Sequence, residues 1–220
     1  MPKIKICGLT SEQEAGWLLE EAVDYAGMVM FFPKSKRNNT VENAKKILRV
    51  FYEANRMEEG RTVKSVAVTV SPTARQVEQL EVLGFDLIQV HGNVEEEIFE
   101  TTEIPVIRAI HDEADWEQFL EWNRHEMWRD RLVGVLFDAK EPGSGETFDW
   151  KRLHRLPQIE QIRSQKLCFL AGGLHSENIK DAIRDVNPDV VDVSSGVEFS
   201  HEQVGKDRSK IKAFVKAVRE

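Results

Sequence analysis

Short runs of apolar and β-branched residues recur along the chain, separated by longer segments in which the apolar residues have helical spacing. A run of about four to eight such residues between turn signals predicts a strand. Eight runs predict strands: KIKIC from residue 3, YAGMVMF from 25, VKSVAVTV from 63, DLIQV from 86, PVIRAI from 105, RLVGVLFD from 131, KLCFLAG from 166 and DVVDVSS from 189.

The segments between these runs predict helices. In NTVENAKKILRVFYEANRM, the residues Ala44, Ile47, Leu48 and Phe51 follow the i, i+3, i+4, i+7 spacing of one apolar face. The stretch EADWEQFLEWNRHEMWRDR is predicted to pack an aromatic helix face on the sheet, with a dimer contact as the alternative. Further helices are predicted to begin at or near Ser11, Ser71, Asn93, Asp149, Ser176 and Gly205.

Eight strands that alternate with helices predict an α/β fold, a single-domain (β/α)8 TIM barrel over residues 1–220. An open doubly wound sheet is the alternative, but it usually needs fewer strands. The first strand is followed by CGLTSE, which has one glycine where the dinucleotide fingerprint G-x-G-x-x-G has several. The pattern therefore favours the barrel.

Composition narrows the class of protein. The chain is 41% hydrophobic and 31% charged, which is typical of a globular domain with a sizeable core. A net charge of -8 disfavours binding to nucleic acid or anionic membrane. No apolar run approaches the roughly 20 residues of a membrane span, and the first residues do not form a signal peptide. Two distant cysteines, Cys7 and Cys168, suit a reducing compartment, so we expect a cytoplasmic protein with a free thiol at Cys7.

Side-chain parity predicts which polar residues reach the mouth of the barrel. Alternate residues of a strand face opposite sides, and barrel active sites lie at the carboxyl ends of the strands. In RLVGVLFD, Val133 and Val135 are expected to face the helices. Polar residues occupy the inward parity on five strands: Lys5 and Cys7, His91, Arg108, Asp138 and Asp192.

These inward residues also allow structural roles, because a buried charge is costly unless it is paired or functional. Lys5 and Asp192, on the strands that would close the barrel, could form an interior ion pair or act in function. Cys7 could be a small buried hydrophobe and His91 a hydrogen-bonded core histidine. A metal site from Cys7, His91 and Asp138 is disfavoured because H-x-H and H-E-x-x-H spacings are missing.

Two glycine-bearing turns follow the seventh and eighth strands. They are LAGGL at 170–174 and VSSGVE at 193–198. Barrels often hold a phosphate at these two positions through backbone N–H groups and a helix N-terminus. We therefore predict a phosphate site, although tight turns between strand and helix use glycine in any case. Its predicted residues are Gly172, Gly173, Ser195 and Gly196.

Several motifs together resemble one family. KICGLT, FFPKSKR, QVHG, FDAKEPGSGETFDW, LAGGL and VDVSSGVE, followed by GKD, stand in the order typical of phosphoribosylanthranilate isomerase from residue 3 to about residue 207. The KICG and SSGVE motifs together are highly specific. The resemblance implies an enzyme of tryptophan biosynthesis that converts phosphoribosylanthranilate into the carboxyphenylamino-deoxyribulose phosphate by an Amadori rearrangement, without a metal or organic cofactor. Its partner would be this small molecule, and a monomer and a homodimer are both open.

The resemblance also implies roles for individual residues. Cys7 would be the general base and Asp138 the general acid, because the reaction protonates the ribose ring oxygen and moves a proton from the second carbon. Arg37 would pair with the anthranilate carboxylate, and His91 would line the same pocket. We expect the site to raise the pKa of Asp138 and a nearby cation or helix dipole to favour the Cys7 thiolate.

Three positions depart from the family's usual pattern. Lys36 stands where the family commonly has the proline of S-P-R, so the turn that aims Arg37 lacks this proline. The sequence PGSG at 142–145, which begins with Pro142, stands where G-G-T-G is common and would stiffen the loop after Asp138. Thr69 replaces a phenylalanine of the third strand. These departures concern the placement of loops and not the reaction.

Two rival functions come from other classes. One is another phosphosugar barrel, an epimerase or the related histidine-pathway isomerase, which would be expected to use an aspartate where this chain has Cys7. The other is a barrel that binds a phosphate ligand without catalysis. The presence of Cys7, Arg37 and Asp138 argues against this second alternative.

Overall fold

Eight parallel strands close into a barrel in the structure, a computed structural model that describes residues 1–57, 63–138, 156–199 and 204–220. The eight predicted strands are confirmed. The ring closes because β1 pairs with both β2 and β9, and a two-residue strand, β3, is added beside β2. The strands are β1 (Lys3–Cys7), β2 (Tyr25–Met30), β3 (Asn38–Asn39), β4 (Lys64–Val70), β5 (Leu87–His91), β6 (Val106–Ile110), β7 (Leu132–Phe137), β8 (Leu167–Leu170) and β9 (Val190–Val193).

Helices lie between the strands, and a side chain caps the first turn of α1, α3, α5 and α9. Ser11 caps α1 as predicted, in a reciprocal pair with Glu14. The described helices are α1 (Glu12–Glu20), α2 (Val41–Met57), α3 (Ala74–Leu83), α4 (Glu97–Thr101), α5 (Glu113–Arg124), α6 (Glu126–Arg129), α7 (Ile159–Arg163), α8 (Ile179–Val186) and α9 (Arg208–Arg219). No helix in these described ranges is long and apolar enough to cross a membrane.

Several helices begin later than the sequence predicts. Thr73, and not Ser71, caps α3, because the Ser71 hydroxyl instead accepts the backbone N–H of Asn93 in the neighbouring loop at 3.0 Å. Helix α4 begins at Glu97, helix α8 follows Asn178, and Asp207 caps α9. The helix predicted from Asp149 lies outside the described residues.

Two apolar layers surround the strands. The inner layer fills the barrel below its mouth with side chains such as Tyr25, Leu136 and Phe169. The outer layer joins the strands to the helices, and Trp116, Trp122 and Trp128 of the tryptophan-rich stretch are buried in it. The prediction that these tryptophans pack on the sheet is therefore confirmed.

The inward placement predicted for Arg108 is wrong. Its neighbours on β6 face the barrel interior, so Arg108 points outward to α5. There it donates to Asp115 and Gln118 and lies over the Trp122 ring, with the guanidinium carbon 5.6 Å from the ring centroid. These partners come from a helix, and the strand pattern cannot show them.

Val133 also departs from the predicted parity. It packs against the inner layer, although alternation along β7 places it with the outward residues. The cause is a register shift, because the partners of Val106 and Ile107 on β6 are Leu132 and Gly134, which leaves Val133 as an extra residue.

Candidate active site

A cavity of about 460 Å³ opens at the carboxyl ends of the strands. It brings together eight of the nine predicted site residues. They are Cys7, Arg37, His91, Asp138, Gly172, Gly173, Asp192 and Ser195.

Cys7 ends β1 at the wall of this cavity, with Gly27 of β2 beside it. A Cβ atom on Gly27 would lie 3.0 Å from the Cys7 Sγ, so glycine makes room for the thiol. Burial raises the pKa of Cys7, and the charges of Lys5, Lys206 and Arg37 oppose that rise without cancelling it. The nearby cations therefore act in the expected direction, toward the thiolate, but burial outweighs them in the substrate-free chain.

Asp138 lies on another wall of the cavity, directly after β7. Its backbone N–H donates to the Ile110 carbonyl at 3.3 Å, which ties this end of β7 to β6. Two strands, β8 and β9, separate β7 from β1 around the ring, so the carboxyl group and the Cys7 thiol approach a ligand from different sides. The PGSG sequence that begins at Pro142 lies outside the described residues.

Lys5 and Asp192 form the interior ion pair that was one of the two predicted possibilities. The Lys5 Nζ lies 2.6 Å from the Asp192 Oδ2, and both residues are buried. Burial disfavours the Lys5 charge, but Asp192 and Cys7 together outweigh this and raise the pKa of Lys5. The other carboxylate oxygen, Oδ1, is buried and has no hydrogen-bond partner among the described residues. Asp192 lines the cavity, and a buried acceptor without a partner is uncommon in folded proteins.

His91 forms a hydrogen-bonded row with Gln89 and His111. Its Nε2 lies 2.8 Å from the Gln89 Nε2, and its Nδ1 lies 2.9 Å from the His111 Nε2. Burial, followed by His111, lowers the pKa of His91 well below its ordinary value, so the ring is neutral at neutral pH. His111 also lines the cavity. The only signal for His111 in the sequence is its place directly after the fifth predicted strand.

Arg37 is held by a carboxylate that the sequence-based predictions do not include. Its Nε lies 2.5 Å from the Glu198 Oε1 and its Nη2 lies 3.0 Å from Oε2. Lys206, which is fully buried, contacts the same carboxylate with its Nζ at 3.0 Å. Burial disfavours the Glu198 charge, but the Arg37 hydrogen bond and Lys206 lower the pKa of Glu198 to about 2. The available signal was the SSGVE and GKD motifs, which contain Glu198 and Lys206.

The turn before Arg37 is ordered by hydrogen bonds in the absence of proline at Lys36. The Ser35 hydroxyl accepts the backbone N–H of Arg37 at 3.2 Å, and the Asn38 side chain accepts that of Phe32 at 2.7 Å. The Lys36 Nζ lies 3.4 Å from the Glu198 carboxylate. Thr69, which replaces a phenylalanine of the family pattern, is buried on β4, and its hydroxyl donates to the Gln89 carbonyl at 3.3 Å.

The two glycine-bearing turns carry backbone N–H groups that could bind the predicted phosphate. Gly172 and Gly173 line the cavity in left-handed backbone conformations, with φ of 87° and 63°. No acceptor among the described residues takes their N–H groups or those of Ser195 and Gly196. Of these residues Gly172, Gly173 and Ser195 line the cavity, and their N–H groups suit an anion.

The structure corrects two details of the predicted phosphate site. Gly196 does not line the cavity, because it packs against the first turn, where a Cβ atom would lie 2.0 Å from the Leu174 carbonyl oxygen. Only a short 3-10 helix, Ser195–Val197, begins at these turns, because α8 begins further along. The helix N-terminus nearest to these turns is therefore that of the 3-10 helix.

The described residues offer no group of three or more histidine, cysteine, aspartate or glutamate side chains that could hold a metal ion. The chemistry that the cavity can perform with the groups on its walls is acid–base chemistry. A thiol and a carboxyl group can exchange protons with a ligand, and Arg37 and the free N–H groups can bind anionic groups at two places.

Comparison with known proteins identifies relatives over the whole chain. The family model for N-(5'-phosphoribosyl)anthranilate (PRA) isomerase matches residues 4–217. The N-(5'-phosphoribosyl)anthranilate isomerase of Streptococcus mutans is 37% identical over 220 residues, covering all of both chains. That of Streptococcus pneumoniae is 34% identical, covering all of this chain and 96% of its own.

Solved structures agree with these relatives. Phosphoribosyl anthranilate isomerase from Thermotoga maritima matches with a TM-score of 0.76 and 31% identity, covering 100% of this chain and 99% of its own. A phosphoribosyl anthranilate isomerase in complex with reduced 1-(o-carboxyphenylamino)-1-deoxyribulose 5-phosphate matches with a TM-score of 0.73 and 29% identity, with the same coverage.

Proposed function

The chain belongs to the N-(5'-phosphoribosyl)anthranilate isomerase family, and on that premise we propose how its residues divide the work of the reaction. It is an enzyme that isomerises N-(5'-phosphoribosyl)anthranilate in tryptophan biosynthesis. The assignment of roles depends on one observation, a single cavity that is lined by Cys7, Asp138 and Arg37. The family model matches almost the whole of the chain that forms this cavity.

Cys7 and Asp138 perform the proton transfers. Asp138 gives a proton to the ring oxygen of the ribose while the bond from that oxygen to the first carbon breaks, which leaves an iminium at the anilino nitrogen. Cys7 then takes a proton from the second carbon, and the resulting enolamine becomes the ketone product. The positions of these two residues on β1 and after β7 support the assignment, because the acid and the base must reach different atoms of one substrate.

Two side chains, Arg37 and Asp192, bind the anionic and polar parts of the substrate, and His91 lines the same pocket. Arg37 receives the anthranilate carboxylate through the donors that Glu198 does not use. Asp192 accepts a sugar hydroxyl with its unpartnered Oδ1. His91, which is neutral, lines the pocket without adding a charge beside the thiol.

The phosphate of the substrate is held by backbone N–H groups of the two glycine-bearing turns. Gly172, Gly173 and Ser195 supply donors at the cavity wall. Gly196 acts indirectly, since its missing side chain allows the second turn to pack closely against Leu174 of the first. A phosphate ion should therefore compete with the substrate and stabilise the folded chain.

We propose a cytoplasmic location because Cys7 and Cys168 are both free thiols, which suit a reducing compartment. A structure from Thermotoga maritima concerns monomers of a dimeric phosphoribosylanthranilate isomerase. Sedimentation at several concentrations distinguishes the monomer from the homodimer for this chain.

Phosphoribosylanthranilate is fluorescent, and loss of its fluorescence on adding the enzyme measures the activity directly. We expect wild-type protein to remove the signal and Asp138→Asn protein to remove it far more slowly. The epimerase, the histidine-pathway isomerase and the non-catalytic binding protein would all leave the signal unchanged, and that outcome would overturn the proposed function.

A further inference from the structure

Three cations converge on the buried carboxylate beneath Arg37. Glu198 is only 6% exposed, and its two oxygens contact Arg37 at 2.5 and 3.0 Å, Lys206 at 3.0 Å and Lys36 at 3.4 Å. One negative charge therefore meets three positive ones. The pairing does not neutralise Arg37, because the excess positive charge remains to attract an anionic ligand.

Lys206 connects this cluster to the thiol end of β1. Its Nζ donates to the Ser194 carbonyl at 3.1 Å and lies 3.3 Å from the Ser194 hydroxyl. That hydroxyl donates to the carbonyl oxygen of Cys7 at 3.0 Å. The backbone N–H of Lys206 donates to Glu14 at 2.7 Å, which fixes the lysine from the other side. A continuous set of contacts thus runs from the backbone of Cys7 to the guanidinium of Arg37.

The Arg37 side chain would otherwise be free to adopt many rotamers at the rim of the cavity, on a turn with Lys36 where the family commonly has proline. The Glu198 carboxylate takes one N–H from Nε and one from Nη2 and so fixes the plane of the guanidinium. A fixed plane leaves the remaining donors in one orientation for a second planar group, which favours a carboxylate.

We propose that Glu198, held by Lys206, is a positioning residue that presents Arg37 to the carboxylate of the anthranilate ring. This inference rests on the proposed function, because it takes the ligand of Arg37 to be that carboxylate. Glu198 itself touches no reacting atom. Its effect on the ring carboxylate passes through Arg37, and this selectivity distinguishes positioning from a general contribution to folding.

The test uses Glu198→Gln, which keeps the side-chain length and removes the charge. Binding of two ligands is compared, a reduced product analogue with the ring carboxylate and the same analogue built on aniline. We expect Glu198→Gln to weaken binding of the first about tenfold and of the second less than about threefold, with KM raised more than kcat is lowered. Equal weakening of both ligands would overturn the inference.

The Arg37→Ala variant separates this inference from the proposed function. We expect it to lose the preference for the ring carboxylate, and Glu198→Gln to weaken binding no further when added to Arg37→Ala. If Arg37→Ala keeps the preference, the proposed role of Arg37 is wrong and the positioning role is overturned with it. If Arg37→Ala loses the preference but the second substitution adds its full effect, only the positioning role is wrong.

Two further variants guard against effects on folding. Glu198→Asp keeps the charge but withdraws the carboxylate from Arg37, so the same selective loss is expected even if Glu198→Gln folds poorly. Glu20→Gln removes a carboxylate from an exposed pair with Arg208, at 2.5 Å, and should change neither ligand's affinity. Loss of both ligands in Glu198→Asp at an unchanged melting temperature would contradict the inference.

Discussion

Replacing Lys5 with methionine separates the structural role of the interior ion pair from its functional one. The Lys5 Nζ lies 2.6 Å from Asp192, and the two side chains are 0% and 5% exposed. Lys5→Met would leave the Asp192 charge buried without its partner, and breaking such a pair by removing one member typically costs about 3–5 kcal/mol. For a chain of this size that loss corresponds to a fall in melting temperature of roughly 6–20 °C.

The double variant Lys5→Met/Asp192→Leu replaces the pair with apolar side chains. Such replacements are often neutral or stabilising, so we expect most of the lost stability to return. Activity should not return, because the double variant lacks the Oδ1 atom that we propose accepts a sugar hydroxyl. Urea titration measures the stability, and the fluorescence of phosphoribosylanthranilate measures the turnover.

Lys5→Met has a second expected effect, on the thiol. Burial raises the pKa of Cys7 and Lys5 opposes the rise, so removing Lys5 should move the pKa of Cys7 higher. The rate of alkylation of the Cys7 thiol by iodoacetamide should then rise at a higher pH than in wild type. A loss of less than about 1 kcal/mol in Lys5→Met, or a fully active double variant, would refute the reasoning.

Three other predictions address the remaining parts of the site. Gly196→Ala should reduce the stabilisation by inorganic phosphate, because the added Cβ would lie 2.0 Å from the Leu174 carbonyl oxygen. Melting curves with and without phosphate test this. An unchanged rise in melting temperature on adding phosphate would contradict it. Asp138→Asn should lower kcat about a hundredfold to ten-thousandfold and remove one limb of the pH–rate profile. Steady-state assays from acid to alkaline pH measure both effects. An unaltered profile excludes Asp138 as the acid. The folded-state pKa of His91 is depressed, so its contribution to stability is present above its unfolded value of about 6.5 and is lost as pH falls through the folded pKa. His91→Asn should flatten this acid-side loss in urea titrations, and an equally steep loss would show that other groups cause it.

The strands and the walls of the site follow from local patterns, which explains why the sequence predicts them well. Apolar runs locate all eight barrel strands, and alternation along them correctly directs Cys7, His91 and Asp192 into the barrel. Alternation also holds on β6, where Ile107 and Ala109 face inward, but the sequence alone took the parity of Arg108 as the inward one. Arg108 turns outward because α5 supplies Asp115 as its partner.

The rest of the site depends on contacts between distant segments, which no local pattern describes. Arg37 and Glu198 are 161 positions apart, and only the closed barrel brings them together. The same holds for Gly196, which packs against the carbonyl of Leu174 in the preceding turn. A motif can indicate that such residues matter, but their geometry comes from the fold.

The central claim is that Cys7 is the base of the isomerisation, and single-turnover fluorescence decay with Cys7→Ser tests it most directly. Binding of the reduced product analogue should be nearly unchanged, because the substitution removes a proton acceptor and not a binding group. The decay of phosphoribosylanthranilate fluorescence should slow about a hundredfold to ten-thousandfold. A decay rate close to that of wild type, with the analogue still bound normally, would contradict the assignment of Cys7 as the base.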